Sequence, residues 1–237
     1  RGRGDDGVGC RAPLRGDGDG GRAHGDGRDR GGRAAAGYAA LRERLDDRGH
    51  GNGLRRPILF AAFTGEEKGL LGSRWFLAHP TLPIGSIAAN INLDQVRPLV
   101  PLDLLTVHAL DDSTLGDTVR EVASGMDIKV QLDPEPERQL LHRADHWPFL
   151  QAGIPATGFV FGYRPGSDSE KRYRHWYQVQ YHRPQDDPTQ PMDWTAADKF
   201  NRFFYALVEA VANAEAPPHW KSGSPLAPQA GGTAPGR

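Results

Sequence analysis

The stretch Arg56–Pro80 constrains this chain more than any other, because it changes periodicity twice within twenty-five residues. Ile58 to Phe63 is an unbroken apolar run, the pattern of a strand buried on both faces of a sheet. Thr64-Gly65 ends it, and Leu70, Leu71, Phe76 and Leu77 then recur at helical spacing until Pro80. Two adjacent carboxylates, Glu66 and Glu67, stand between strand and helix. The carboxyl end of a strand in an open α/β sheet is where ligands bind. Like charges held together there call for a counter-charge, and a divalent metal supplies one, with one glutamate as ligand and its neighbour free to carry protons. The plain alternative is an acidic pair opening a helix, where it favours the dipole.

The rest of the chain reads as strands alternating with helices. Ser86–Leu93, Leu104–Ala109, Ile128–Leu132 and Ala156–Phe161 carry strand patterns. Ala34–Leu45, Ser113–Gly125 and Ala196–Ala214 carry helical ones, and Asp145–Gln151 reads as a helical turn. Arg164–Gln180 is a polar, aromatic-bearing stretch. This alternation predicts an α/β fold, three-layer α/β/α with a mixed, largely parallel central sheet. Residues 1–33 are mostly Gly, Arg, Asp and Ala, too poor in apolar side chains to offset their ordering entropy, so disorder is expected there. The folded domain is then 34–216, and Pro, Gly and Ser from Pro217 onward predict a flexible tail over 217–237.

A net charge of −1 over 237 residues argues against binding nucleic acid by neutralising phosphates. Cys10 is alone, so no internal disulfide forms, and no apolar run reaches membrane-spanning length. The chain begins at Arg1, which reads as a fragment or processed product.

Besides the glutamate pair, Asp94 at a strand end and His182 in a Pro-bearing loop are candidates for chemistry. Singly, Asp94 could be a cap and His182 a surface residue. Together with the pair they form the oxygen and nitrogen set that zinc accepts. Asp186, four residues after His182, is placed to take the proton on the other imidazole nitrogen and fix its tautomer.

Four separated motifs carry a family resemblance: Gly65-Glu66-Glu67-Lys68-Gly69-Leu70-Leu71-Gly72-Ser73; Asn92-Leu93-Asp94; Asp145-His146-Trp147-Pro148-Phe149 with Ala152-Gly153-Ile154-Pro155; and Tyr181-His182-Arg183-Pro184 with Asp186-Asp187. In order and spacing, over Arg56 to Trp220, they resemble the co-catalytic zinc aminopeptidases of metallopeptidase clan MH, family twenty-eight. The resemblance implies hydrolysis of N-terminal peptide bonds, with Glu66 as general base and Tyr181 polarising the scissile carbonyl. It implies Glu67 and His182 on one zinc, Asp94 on the other, and Asp145 and His146 in a supporting role near the cleft. Peptide or protein N-termini are the implied substrate, and a secreted or periplasmic location follows from the resemblance alone.

The resemblance breaks upstream. The family's first ligand motif has its letters in Ala23-His24-Gly25-Asp26, without the apolar strand that should precede it, so His24 is a candidate on letters only. Where the family places a bridging aspartate, alignment puts Arg33, and Asp29 is the nearest alternative. The sheet is therefore expected to lack its N-terminal strands, and a reading frame shifted over residues 1–33 would account for the composition. Zinc, two ions in the intact family site, is expected here as one or none, with impaired hydrolysis. The alternatives are a non-catalytic peptidase-like module and a single-zinc acyl-transferring cyclase.

Overall fold

The computed structural model describes residues 53–228. The expected helix over Ala34–Leu45 and the candidates His24, Asp29 and Arg33 lie outside these residues. The sheet is built around Ala156–Phe161, where β4 (Ala156–Thr157) and β5 (Phe159–Phe161) are separated only by Gly158. β1 (Asn90–Ile91) runs parallel to β4, with Asn90 opposite Ala156. β2 (Leu104–Val107) runs antiparallel to β5, with Thr106 opposite Val160, and β3 (Lys129–Gln131) lies parallel to β2 on its far side. β1 and β4 thus form a parallel pair and β3–β2–β5 a mixed three-stranded sheet, the two joined along the chain through Gly158.

Alternation along β2 and β5 shows why helices cover both faces. Leu105, Val107, Phe159 and Phe161 point one way, into a core with Leu115, Val119 and Ala123 of α2 (Thr114–Ser124). Phe200, Phe203 and Leu207 of α5 (Trp194–Asn213) complete that core. Phe159 meets Phe200, Phe203 and Phe204 edge-on, at ring centroid distances of 5.5–6.2 Å. Each such phenylalanine contributes about 2–3 kcal/mol from area removed from water. On the other face, His108 follows β2 and meets His146 of α3 (His146–Gln151). Phe149, Leu150, Ile154 and Ala156 form a second core there, against Phe63 and Phe76. Phe76 belongs to α1 (Leu71–Ala78).

The predicted strand Ile58–Phe63 is not a strand. No described residue pairs with it in a ladder, and Leu59 is 58 % exposed. Apolar composition reports a preference for burial; strand identity needs a neighbour to hydrogen-bond, which composition does not report. Phe63 turns inward, packing on Phe76 and Phe149 at 5.7 and 6.0 Å.

Arg164–Gln180 contains a helix that periodicity alone does not announce, α4 (Asp168–Val179). Its start was legible as Ser-x-x-Glu: Ser167 Oγ accepts from the Glu170 N–H at 3.2 Å, and Glu170 Oε2 accepts from the Gly166 N–H at 2.6 Å. Ser167→Ala is expected to cost about 1 kcal/mol of stability, read as a lowered urea midpoint at unchanged m-value. Residues from Pro217 also differ from expectation, since 217–228 return to the body. Trp220 bridges to Ser113 and donates its indole N–H to the Gly153 carbonyl at 3.0 Å, and Ser224 donates to Asp112 at 2.7 Å.

Candidate active site

The turn that carries the glutamate pair is forced by its glycines. Gly65 and Gly69 have φ of 69° and 98°, the left-handed region open to glycine, and Leu70 follows at 60°. Between them Glu66–Lys68 form one 3₁₀ turn, with the Gly69 and Leu70 N–H groups both donating to the Glu66 carbonyl. Gly72 then passes so close to Thr64 that a Cβ would sit 2.6 Å from its nitrogen. The backbone doubles back tightly, and Glu66 and Glu67 are presented side by side at its tip.

Glu67 reaches His182 across the molecule. Its Oε1 lies 2.6 Å from His182 Nε2, although 115 positions separate them in sequence (182 − 67). His182 itself sits at φ 56°, an uncommon conformation for a residue with a side chain, fixed where the chain leaves α4. Its ring stacks on Tyr181 at 3.8 Å. The Tyr181 hydroxyl accepts from Gln95 Nε2 at 3.0 Å, which ties this loop to the one after β1.

The charges around the turn are mostly negative. Glu66 is pushed up to about 7, first by burial and then by the carboxylates of Asp94, Glu67 and Asp145, with His182 opposing. Asp94 also holds its proton more tightly than usual, chiefly through crowding by protein, while Arg97 works the other way. A carboxyl that exchanges protons near neutral pH can serve as base and then acid. A bound cation would relieve the repulsion that creates it.

Not every candidate lands where the sequence suggests. Asp186 accepts from the Gln190 amide at 2.6 Å in place of the His182 imidazole, and Gln190 in turn accepts from the Trp176 indole. Asp145 accepts from Ser73 Oγ, which pins α1 to α3. His146 turns into the core against His108 and is 1 % exposed, so it lines no cleft. Its placement follows from α3: His146, Phe149 and Leu150 share the buried face. Two residues that sequence reasoning passed over, Gln95 and Arg97, take part in the site. The only signal was their position directly after Asp94.

The donor types suit zinc, but completeness is another matter. Glu67 and His182 form a contacting pair, with Asp94 near enough for its charge to act on Glu66. Among the described residues, no three His, Cys, Asp or Glu side chains close into a metal-holding group. Catalytic zinc takes three protein donors. The described residues match zinc in donor chemistry, and among them no complete set of three donors is assembled.

Residues 23–208, most of the chain, match the family model described as Peptidase family M28. The chain belongs to this family. The leupeptin-inactivating enzyme 1 of Streptomyces exfoliatus is 28 % identical over 108 residues, a match covering 45 % of this chain and 23 % of that protein. The chain thus spans under a quarter of the length of that relative. A solved structure of a zinc aminopeptidase from Bacillus subtilis aligns with 65 % of this chain and 36 % of its own, at 24 % identity and a TM-score of 0.48. No helix among the described residues is long and apolar enough to cross a membrane.

Proposed function

We propose that this M28 chain carries the site of a zinc-dependent aminopeptidase, hydrolysing the N-terminal bond of peptides. The observation that supports this best is the Glu67–His182 contact, which brings an oxygen and an imidazole donor from distant motifs together beside Glu66. Glu67, His182 and Asp94 would hold zinc, and His24 or Asp29 would be the source of a further donor. Zinc, when bound, supplies a Lewis acid that polarises the carbonyl and lowers the pKa of water. The chain's own residues do the rest. Glu66 takes the proton from the attacking water and passes it to the leaving amine. The Tyr181 hydroxyl, steadied by Gln95, faces the negative charge that develops on the carbonyl oxygen. Asp145, fixed by Ser73, holds negative potential at the turn and favours a substrate's protonated α-amine. A secreted or periplasmic location belongs to the same proposal and rests on the family resemblance alone.

Hydrolysis of aminoacyl-anilides by the purified chain, before and after chelation, tests this. Turnover should be lost on chelation and return with added zinc; turnover indifferent to chelation would overturn the reading. A second reading, a peptidase-like domain without turnover, is favoured by Arg33 at the position where the resemblance places a bridging aspartate. It predicts neither zinc binding nor hydrolysis in the same assay.

A further inference from the structure

Arg97 is a buried cation with no carboxylate bonded to it among the described residues. The residue is 7 % exposed, and its Nε and Nη1 have no hydrogen-bond partner among the described residues. Leaving guanidinium groups dry and unpaired is costly, so a chain that keeps one there gains something by it. What surrounds it is aromatic. The guanidinium carbon lies 4.6 Å from the Tyr177 ring centre, 4.9 Å from Trp176 and 5.8 Å from Tyr181. Attraction of a cation to ring faces offsets part of the desolvation, more so away from water.

Among the described residues the guanidinium makes one hydrogen bond, and it leads toward the candidate site. Arg97 Nη2 donates to Gln95 Oε1, which orients the Gln95 amide so that its Nε2 points at the Tyr181 hydroxyl, 3.0 Å away. Tyr181 in turn stacks on His182, and His182 meets Glu67. The other end of the same loop is also fixed, since the Pro98 carbonyl accepts from the Asp193 N–H at 2.7 Å, at the start of α5. A chain of contacts therefore runs from the segment bearing Asp94 to the segment bearing His182, and Arg97 is its hub.

We propose that Arg97 is a positioning residue, which through Gln95 and Tyr181 holds the His182 imidazole in register with the Asp94 loop. The proposal rests on the aminopeptidase reading for its functional consequence, but its geometric content stands apart from turnover. Planarity matters here: the guanidinium lies against rings while one nitrogen reaches Gln95, which a lysine ammonium reproduces only in part.

The test is nuclear magnetic resonance of the zinc-free chain, following the His182 ring protons, which the stacked Tyr181 ring shifts upfield. In Arg97→Met those signals should move toward the position of an unstacked histidine, and Gln95→Ala should give the same shift while leaving the cation in place. Arg97→Lys should retain part of the upfield shift. Zinc affinity, measured by competition with a chromophoric chelator, should fall about tenfold in Arg97→Met, as for other residues that orient a metal ligand. kcat should fall with it, and KM should change little. If the His182 signals stay put in both Arg97→Met and Gln95→Ala, the positioning role is refuted, whatever the activity. If Arg97→Met fails to fold, Gln95→Ala decides alone. A wild-type chain that neither binds zinc nor turns over would refute the aminopeptidase reading, and the His182 shifts would still decide the role of Arg97.

Discussion

Glu66→Gln should lower kcat by about 10²–10⁴-fold, the usual contribution of a positioned acid–base group. Zinc content should stay unchanged, because the contacting donor pair is Glu67 and His182 and does not include Glu66. The substitution keeps the size of the side chain and its place at the tip of the turn, and it removes only the ability to accept a proton. The same change should leave KM near its wild-type value, since the group acts on the moving proton and not on the bound ground state. Loss of zinc together with activity would assign Glu66 as a ligand. An unchanged rate would remove it from the mechanism altogether.

The second large effect concerns acid. His108 and His146 lie against each other in the core, their rings tilted by 39° with centroids 5.0 Å apart, and none of their four nitrogens reaches a partner in full hydrogen-bond geometry among the described residues. Gly158 leaves them this space; a Cβ there would stand 2.8 Å from His146 Nδ1. Burial drives His146 down to about 3, the neighbouring His108 adds to the fall, and the Leu141 backbone opposes it. His108 is lowered for the same first reason, with Asp133 opposing. Both imidazoles are therefore neutral in the folded chain and take up protons near pH 6.5 once it unfolds. A depressed folded pKa gives stability that is complete above pH 6.5 and lost as pH falls toward 3. For His146 this amounts to about 3 kcal/mol at pH 4.5. Glu66 works in the opposite sense over the same range, because its folded proton affinity is raised. The histidine contribution is therefore best read as a difference. Between pH 6.5 and 4.5, the unfolding free energy of His146→Leu should fall less steeply than that of the wild type, by about 1.4 kcal/mol per pH unit. Parallel slopes would show that His146 is protonated without unfolding.

Much of this fold could be read in the letters because its signals are local. α2 and α5 begin and end within two residues of the expected Ser113–Gly125 and Ala196–Ala214, since their apolar stripes repeat over three or more turns. The strand-bearing segments around Asn90, Leu104, Lys129 and Ala156 were also legible as short apolar runs. Ile58–Phe63 was misread for the converse reason, that pairing is a property of two segments and only one was being judged. At the site, the pairing of Glu67 with His182 was an implication of the family resemblance, and the two side chains are in contact. The direction of Asp186 was not legible, because four residues of separation fix proximity and leave direction open, and here the side chain turned to Gln190. Arg97 was invisible, since an arginine before a proline in a loop reads as solvated, and its burial depends on rings supplied by α4 some eighty residues later.

Calorimetric titration with zinc of the wild type, Glu67→Gln and His182→Asn, at one pH in one buffer, probes the heart of this account. Both substitutions should weaken binding strongly, and the double variant should lose less than the sum of the two single losses, because two donors to one ion are coupled. Zinc binding that is untouched by either change would contradict it.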